Sequence, residues 1–564
     1  MLRRNAKRKI IQEFFGGILL FVFAGAMIWR AFRGFDWSDE AYYSAIVFRI
    51  IQGDALFKTS WDIHQLSAVI LVPIYWLYTT IFGTTGLILF SRFLYLLVIT
   101  GEAIWLYIKF SNKYNIVTGV LVSILLLSYA SVSGLSYNTM MVEAFMLSIL
   151  LLPPIEKEKA KRIRYILSGV FSGIAVQAYP STLLVLILFG IYIGINEKDK
   201  RWKMLLYYVS GGLIVLLSFF IFLMINSSFD ALVHNAKYLL MDPEHGEIGF
   251  SLREHYIQLR DLIINYSIYA FVFANLLAIV TWFTKGKVRT AIVFLSVLAV
   301  FTGLFFQWNS IRAGYGKGSI QYQFFFSIAL CFSTLWLLDR CKWNNTILLF
   351  LGGVVGSIGV NISTNNDATF YVYPYMISAI GTVIYAGQLI KNSRIKDRKR
   401  WSVQFAAYLP AATLIIYAFI SSFVYVYRDG ELKTLNTRMT SGPAAGIYTT
   451  ETRAKQYEET IQAINNYMPK EENILYTKLL PFGYLCSNAK PATPRLWRTN
   501  LDYPLFEEYY RNNPDKLPDA IYIVNGNYGI TNSGIVIGEY MQNYIDSTPH
   551  KTIEIDCATI IKFK

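Results

Sequence analysis

The sequence predicts an all-α polytopic membrane domain of about 13 transmembrane helices, followed by a small C-terminal α/β domain outside the membrane. Of the 564 residues, 54% are hydrophobic and only 16% are charged, and the mean hydropathy is +0.38. In a typical soluble domain, about a quarter of the residues are charged. The apolar residues are grouped in blocks of roughly 15 to 25, the length with which a helix crosses a bilayer. After residue 427 this pattern ends.

The predicted crossings share high hydropathy and are separated by short charged loops. They are 11–33, 86–110, 116–131, 139–153, 163–179, 181–195, 205–225, 265–284, 290–308, 320–338, 346–361, 369–390 and 402–425. The basic and apolar N-terminus is interpreted as an uncleaved first helix, because no small-residue cleavage site follows it. One further apolar block, 65–82, is ambiguous.

The distribution of Lys and Arg decides how to treat block 65–82. If it does not cross, the loops on the side of the N-terminus hold about 27 Lys and Arg and the opposite loops about 7, as the positive-inside rule requires. If it crosses, the bias reverses. We therefore expect 65–82 to lie shallow on the outer side of a plasma membrane, with a cytoplasmic N-terminus. The predicted domains are then 1–427 in the membrane and 428–564 outside.

The net charge of +15 does not indicate nucleic-acid binding, because the basic residues lie in the loops between apolar blocks. In the tail, 449–468 reads as a helix, and 474–476, 520–524 and 552–563 read as strands. Cys486 and Cys557 could pair there or remain two thiols. No CxxC spacing or nearby His suggests a metal site.

The first outer loop carries the main chemical signal. The run Asp36-Trp37-Ser38-Asp39-Glu40 directly follows the first crossing, and an amphipathic stretch from Ala41 to Gln52 comes next. A carboxylate beside apolar walls is poorly hydrated, which suits it to act as a general base on a hydroxyl. The alternative is that Asp39 and Glu40 cap the amphipathic helix. The sequence favours neither.

A family resemblance starts from these residues. Asp39-Glu40-Ala41-Tyr42-Tyr43, then Arg49 and Gly53-Asp54, resembles the first outer loop of GT-C fold glycosyltransferases, and is most similar to protein O-mannosyltransferases and lipid A aminoarabinose transferases. Pro73, Phe82-Gly83 and Arg92 follow in the order of those families. The resemblance covers roughly residues 11–215 in motif order and the whole chain in layout.

The resemblance implies an inverting glycosyltransferase that uses a polyprenyl-phosphate sugar. Asp39 would take the proton of an acceptor hydroxyl, with Glu40 beside it as the second catalytic carboxylate, while the lipid phosphate leaves. The developing phosphate charge requires cations or hydrogen-bond donors. The outer-side candidates are Arg49, Lys58, His64, Arg92, Lys237, Arg312 and Lys317. The acceptor could be a glycan, a lipid or a protein.

Several residues depart from the family pattern. His64 stands where relatives carry Lys, Asn138 where they place a second Asp, and Tyr179 near a family Lys. Asn138 could orient a sugar hydroxyl but cannot act as a base. The remaining predicted substrate contacts are Tyr137, Glu143 and Lys237. Glu102, deeper in its helix, is expected to have a structural partner.

Three other functions remain open. A transporter or lipid-sugar flippase would favour repeated halves and interrupted helices, and no repeat is evident. A polysaccharide polymerase or ligase would concentrate cations in large outer loops. A non-catalytic member would bind cell-wall polymer through its tail. The sequence indicates no cofactor and no dedicated metal cage, although one divalent ion shared with phosphate is compatible with it.

Overall fold

A computed structural model describes much of the chain. The described residues are 2–128, 134–152, 158–197, 199–239, 268–313, 320–342, 346–363, 374–392, 408–409, 412–417, 419–420, 422–426, 428–470, 472–477, 480–497, 500–525, 528 and 536–564. This part is mostly helical and ends in a small sheet, which confirms the predicted fold class in outline.

The helices before the tail coincide closely with the predicted apolar blocks. In chain order they are α1 Leu2–Ala31, α2 Asp39–Ile51, α3 Gln65–Phe82, α4 Leu87–Lys113, α5 Ile116–Leu127, α6 Tyr137–Leu151, α7 Glu158–Ala178, α8 Leu183–Asn196, α9 Arg201–Asn226, α10 Phe229–Asn235, α11 Ile268–Val280, α12 Gly286–Ala313, α13 Ile320–Leu338, α14 Thr346–Ser363 and α15 Tyr375–Asn392. The last predicted crossing, 402–425, falls partly outside the described residues.

Length and composition allow five of the described helices to cross a membrane. They are Glu13–Ala31 of α1, all of α3, α4 and α9, and Gly286–Leu304 of α12. Their outward faces are apolar and exposed; on α9, Leu206 is 68% exposed and Ile225 80%. Such faces are stable against lipid and not against water. The chain is therefore a multi-pass membrane protein, and the count of 13 crossings stays a prediction.

Helix α3 is held at both ends by the tail. At its start, the Trp61 N–H donates to the Pro494 carbonyl at 2.8 Å, and the Leu496 N–H donates to Asp62 at 3.1 Å. Just beyond its end, the Gly86 N–H donates to the Gly442 carbonyl at 3.0 Å. A helix of 18 residues is about 27 Å long, nearly the thickness of a hydrocarbon core. Both ends nevertheless contact the same C-terminal segment.

The tail forms the predicted α/β arrangement. Its helices are α16 Glu451–Tyr467, α17 Phe506–Asn512 and α18 Glu539–Ser547, and its strands are β1 Thr437–Arg438, β2 Tyr448–Thr449, β3 Asn473–Tyr476, β4 Lys490–Pro491, β5 Ala520–Val524, β6 His550–Ile555 and β7 Ala558–Phe563. Five strands form one sheet in the order β4-β3-β5-β7-β6, and β1 pairs with β2.

Two sequence readings of the tail are refined. The single predicted strand at 552–563 is the hairpin β6–β7, in which Ile555 pairs with Ala558 across Asp556 and Cys557. No Gly or Pro marks this turn, so no residue in the run indicates a break between two strands. Cys486 and Cys557 are both free thiols, so the pairing alternative is wrong for this structure.

A buried ionic cluster, which we call the docking cluster, joins the first outer loop to the tail. It consists of Arg49 and the groups that it contacts. The Arg49 guanidinium is fully buried and contacts Asp54 at 2.5 Å and Asp62 at 3.1 Å. It also donates to the carbonyls of Thr493 at 2.6 Å and Pro494 at 3.1 Å. A buried charge is tolerated when its hydrogen bonds are satisfied. Here half of the acceptors come from residues more than 440 positions later in the chain.

Candidate active site

The turn before α2 is organised by Asp36. Its carboxylate accepts hydrogen bonds from the Ser38 N–H at 2.9 Å, the Ser38 hydroxyl at 2.6 Å and the Asp39 N–H at 3.1 Å. Ser38 is the residue before the helix, and Asp39 is the first helical residue. The carboxylate that satisfies this helix start is therefore Asp36. The alternative in which Asp39 and Glu40 serve as caps is not supported.

Burial of Asp36 perturbs its titration. The side chain is only 4% exposed, and loss of hydration, followed by repulsion from the charge of Asp39, raises the pKa of Asp36 to about 7. The positive charge of Arg428 and the hydrogen bonds from Ser38 act in the opposite direction. The carboxyl group of Asp36 is thus poorly suited to carry a charge beside Asp39.

Asp39 is less buried than Asp36 and Glu40, and it contacts a basic residue of the tail. Its Oδ2 is 3.2 Å from Nη1 of Arg428, and the two side chains are 19% and 23% exposed. Arg428 also donates to the Ser38 hydroxyl and lies 5.6 Å over the ring of Trp497. The predicted base is therefore reachable from outside, unlike the other acids of the turn.

Glu40 has a different environment, although it is adjacent in sequence. Arg92 on α4 contacts its two oxygens at 2.5 and 2.6 Å, and both side chains are nearly inaccessible. Arg92 also donates to the carbonyls of Ala31 at 2.5 Å and Gly34 at 2.6 Å. The prediction that Arg92 contacts donor phosphate is not supported, because its donors are directed at these buried acceptors. Glu40 and Arg92 position the loop.

Six ring side chains, which we call the aromatic wall, extend from Arg428 towards α6. Consecutive ring centroids lie 5.4 Å apart for Trp497 and Tyr42, 6.0 Å for Tyr42 and His64, and 3.6 Å for His64 and Tyr137. Its members are Tyr42, Tyr43, His64, Tyr137, Tyr179 and Trp497, all partly buried except the fully buried Tyr42. The structure thus brings His64 and Tyr137, predicted separately, onto one surface near Asp39.

Two other predicted substrate residues are buried in the helix bundle. Asn138, at the start of α6, is 3% exposed. The Glu143 carboxyl, one turn further, lies within hydrogen-bonding distance of the Glu102 carboxyl of α4. Neither carboxyl has a described hydrogen-bond donor from another residue. Glu143 therefore lies against a neighbouring helix rather than an open site, and the structural partner expected for Glu102 stays a prediction.

The remaining predicted cations have other surroundings or lie outside the described residues. Lys58 is exposed, and Lys237 contacts Glu508 of the tail at 3.7 Å. Arg49 is enclosed in the docking cluster, which argues against the expected phosphate contact. The side chain of Arg312 and the whole of Lys317 lie outside the described residues. Within the described part of the chain, no group of three or more His, Cys, Asp or Glu side chains could hold a metal ion.

Sequence reasoning missed Arg428 and Trp497. Arg428 was treated as the start of a new domain, yet a basic residue directly after the last apolar block is already at the membrane surface where the first loop lies. That placement was an available signal for Arg428. Nothing in the sequence around Trp497 links it to residues 39–64, because the link is made by tertiary packing.

Comparison with known proteins gives structural neighbours but no sequence family. No family model and no curated protein matches the sequence. An oligosaccharyltransferase from Archaeoglobus fulgidus, solved with Zn and sulfate, is 11% identical with a TM-score of 0.47, over 90% of this chain and 68% of that chain. ArnT from Cupriavidus metallidurans, solved in the apo state, is 12% identical with a TM-score of 0.42, over 96% and 97% of the two chains.

Both neighbours are glycosyltransferases of the GT-C fold, the class that the sequence motifs resemble. At TM-scores below 0.5 these similarities carry no further weight. The functional assignment therefore rests on the residues of this chain.

Proposed function

We propose that this protein is an inverting glycosyltransferase that moves a sugar from a polyprenyl-phosphate donor to an acceptor hydroxyl at the outer face of the plasma membrane. The position of Asp39 carries the proposal. Its carboxylate is 19% exposed at the first residue of α2, whereas Asp36 and Glu40 beside it are buried and committed to hydrogen bonds. One accessible carboxylate in a rigid frame suits general-base catalysis.

The chemistry follows from that geometry. The acceptor hydroxyl gives its proton to Asp39 as its oxygen forms a bond to the anomeric carbon of the sugar. The bond between that carbon and the phosphate oxygen breaks, and its electron pair leaves with the lipid phosphate. Attack opposite to the leaving group inverts the anomeric centre. No covalent sugar–protein intermediate is required, which agrees with a single accessible carboxylate.

The aromatic wall is proposed to receive the sugar. Ring faces pack against the C–H faces of a pyranose, and a few polar groups among apolar walls fix its orientation. Tyr137 and His64 stack on each other at 3.6 Å, and both are partly exposed members of this wall. His64, Lys58, Arg312 and Lys317 remain proposed phosphate contacts. Asn138 remains a proposed contact that orients a sugar hydroxyl.

The membrane placement is supported by α3. Contacts of both its ends with the tail favour a helix that lies on one side of the membrane rather than across it. With α3 outside, the positive-inside count places Asp39, the aromatic wall and residues 428–564 on the outer side. This is the leaflet where an outward-facing lipid-linked donor presents its sugar. A total of 13 crossings follows from the same proposal.

The test is sugar transfer by purified Asp39→Asn protein supplied with a panel of polyprenyl-phosphate sugars and acceptor hydroxyls. Asn keeps the size of Asp but cannot accept the proton, so turnover should fall by about 10² to 10⁴ with thermal stability unchanged. Asp502→Asn, an exposed tail position, should retain wild-type turnover. Full transfer by Asp39→Asn excludes the mechanism. Absence of transfer by the wild type, together with passage of the lipid-linked sugar across vesicles, would favour a flippase.

A further inference from the structure

Arg428 combines an unusual backbone with a partly exposed guanidinium. Its φ is +54°, a left-handed conformation that side-chain-bearing residues other than Asn and Asp rarely adopt. Its carbonyl accepts a hydrogen bond from Arg453. The next residue, Asp429, accepts bonds from the Phe35 N–H at 2.7 Å and the Thr449 hydroxyl at 2.8 Å. The surrounding structure imposes this conformation, and strain held in this way is typical of functional positions.

The ion pair that Arg428 makes is of a different kind from the others in this region. The Arg92–Glu40 and Arg49–Asp54 pairs are nearly inaccessible and have contacts of 2.5 Å. The Arg428–Asp39 contact is 3.2 Å long and about one-fifth exposed on each side. An ion pair that is partly open to solvent and this long is expected to add only about 1 kcal/mol. An incoming anion can therefore compete for Arg428, whereas it cannot compete for Arg49 or Arg92.

The proposed reaction brings an anion, the phosphate of the donor, close to Asp39. A sugar phosphate approaching Asp39 would meet a carboxylate of the same charge, with a second acid, Asp36, directly behind it. The cation in contact with Asp39 is Arg428. A guanidinium can bind two phosphate oxygens through two parallel hydrogen bonds. The ring of Trp497 beneath it limits the directions in which the side chain can turn.

From these observations we infer that Arg428 is an exchangeable contact, which pairs with Asp39 in the empty enzyme and transfers to the phosphate of the lipid-linked donor when that donor binds. The inference rests on the proposed function and adds to it a residue from the tail and an order of events. Without donor, the guanidinium occupies the carboxylate that is to receive the proton of the acceptor. With donor, Asp39 is released where the acceptor hydroxyl arrives.

The experiment measures binding rather than transfer, so that it can fail independently of the proposed function. Purified wild type, Arg428→Gln and Arg428→Lys are titrated with undecaprenyl phosphate, with uncharged undecaprenol and with inorganic phosphate. Arg438→Gln is the matched control, because Arg438 is an exposed arginine of the same tail. Loss of one charge-assisted contact should weaken undecaprenyl phosphate binding about tenfold to a hundredfold in Arg428→Gln. Arg428→Lys should be intermediate, and undecaprenol binding should not change.

A second arm tests the exchange itself. Asp39→Asn removes the competing carboxylate, so undecaprenyl phosphate should bind up to about fivefold more tightly than to the wild type. The double variant Asp39→Asn with Arg428→Gln should lose that gain. An equal gain in the double variant would reflect only the relief of charge repulsion between Asp39 and the phosphate, and it would overturn the inference. The absence of any gain in Asp39→Asn also overturns it, and this can be measured even if Arg428→Gln fails to fold.

Two further results would also overturn it. One is undecaprenyl phosphate affinity in folded Arg428→Gln equal to that of the wild type. The other is inorganic phosphate binding as tightly as the lipid, which would identify a free-phosphate site. If instead the binding results are as expected but no sugar is transferred by the wild type from any donor, the lipid-phosphate contact stands and the proposed transfer reaction falls.

Discussion

Arg92 and Glu40 meet through two hydrogen bonds of 2.5 and 2.6 Å, and neither side chain is more than 6% exposed. The Arg92 guanidinium also donates a hydrogen bond to the carbonyl of Ala31, the last residue of α1. One side chain of α4 therefore fixes both the end of the first membrane helix and the start of α2. Asp39 is held in place by the residue that follows it.

Removal of either partner should destabilise the protein more than it impairs the chemistry. Arg92→Gln and Glu40→Gln each leave a buried charge without its counterion, which costs about 3–5 kcal/mol. The free energy of unfolding in detergent should drop accordingly, while turnover per folded molecule falls less than in Asp39→Asn. Glu197→Gln removes a more exposed pair, with Lys161, and should cost far less. If Arg92→Gln instead keeps the stability of the wild type and loses only affinity for the lipid phosphate, Arg92 is a phosphate contact, as the sequence predicted.

The pKa of Asp36 predicts how stability depends on pH. In the folded protein the pKa is about 7, against an ordinary value of 3.8. Between roughly pH 4 and pH 7 the folded state therefore holds a proton that the unfolded chain has released, so stability should decline as the pH rises through this interval. Above about pH 7, Asp36 is ionised in both states and should no longer make the stability depend on pH.

Asp36→Asn isolates that contribution, because the amide does not ionise. Its Tm should vary less with pH between 4 and 7 than the wild-type Tm, whatever the offset from the changed hydrogen bonds. Asp502→Asn, at an exposed position, should follow the wild-type curve. Identical slopes for Asp36→Asn and the wild type would show that Asp36 titrates as an ordinary carboxyl.

The docking cluster predicts a large stability effect far from the chemistry. Arg49→Met removes the charge that Asp54 and Asp62 share and deprives the carbonyls of Thr493 and Pro494 of the guanidinium donor, although Pro494 keeps its bond from the Trp61 N–H. A loss of about 3–5 kcal/mol is expected, together with faster proteolysis of the tail. Lys58→Met, an exposed cation of the same loop, serves as control. Equal protease resistance of the Arg49 variant and the control would contradict a docking role.

Thiol labelling tests the position of α3. Single cysteines at Lys58 and Thr85, on exposed residues that flank α3, should both react in intact cells with a reagent that cannot cross membranes. A cysteine at Lys200 should react only after the cells are opened, because its loop is predicted to be cytoplasmic. Protection of Thr85 with labelling of Lys58 would mean that α3 crosses, and the later loops would then exchange sides.

The helices were predictable because lipid demands long apolar runs, which a sequence displays directly. The predicted block 86–110, for example, is the helix Leu87–Lys113. Asp39 was predictable for a similar reason, since its motif is contiguous. The contact of Arg92 with Glu40 could not be predicted, because a sequence does not tell which of several cations a neighbouring carboxylate will bind. Arg428 was missed because its contact partner Ser38 lies 390 residues away, and only packing brings the two together.

The position of Arg49 has a consequence for how the protein is made. Its acceptors Thr493 and Pro494 leave the ribosome some 444 residues after it, and under the proposed topology they must still be translocated before they reach it. During that interval the first loop carries an arginine with an incomplete set of partners. A chain stalled or cut before the tail is delivered would retain this defect and be recognised by membrane quality-control proteases. The cluster thus makes the stability of the first loop depend on residues that are synthesised last.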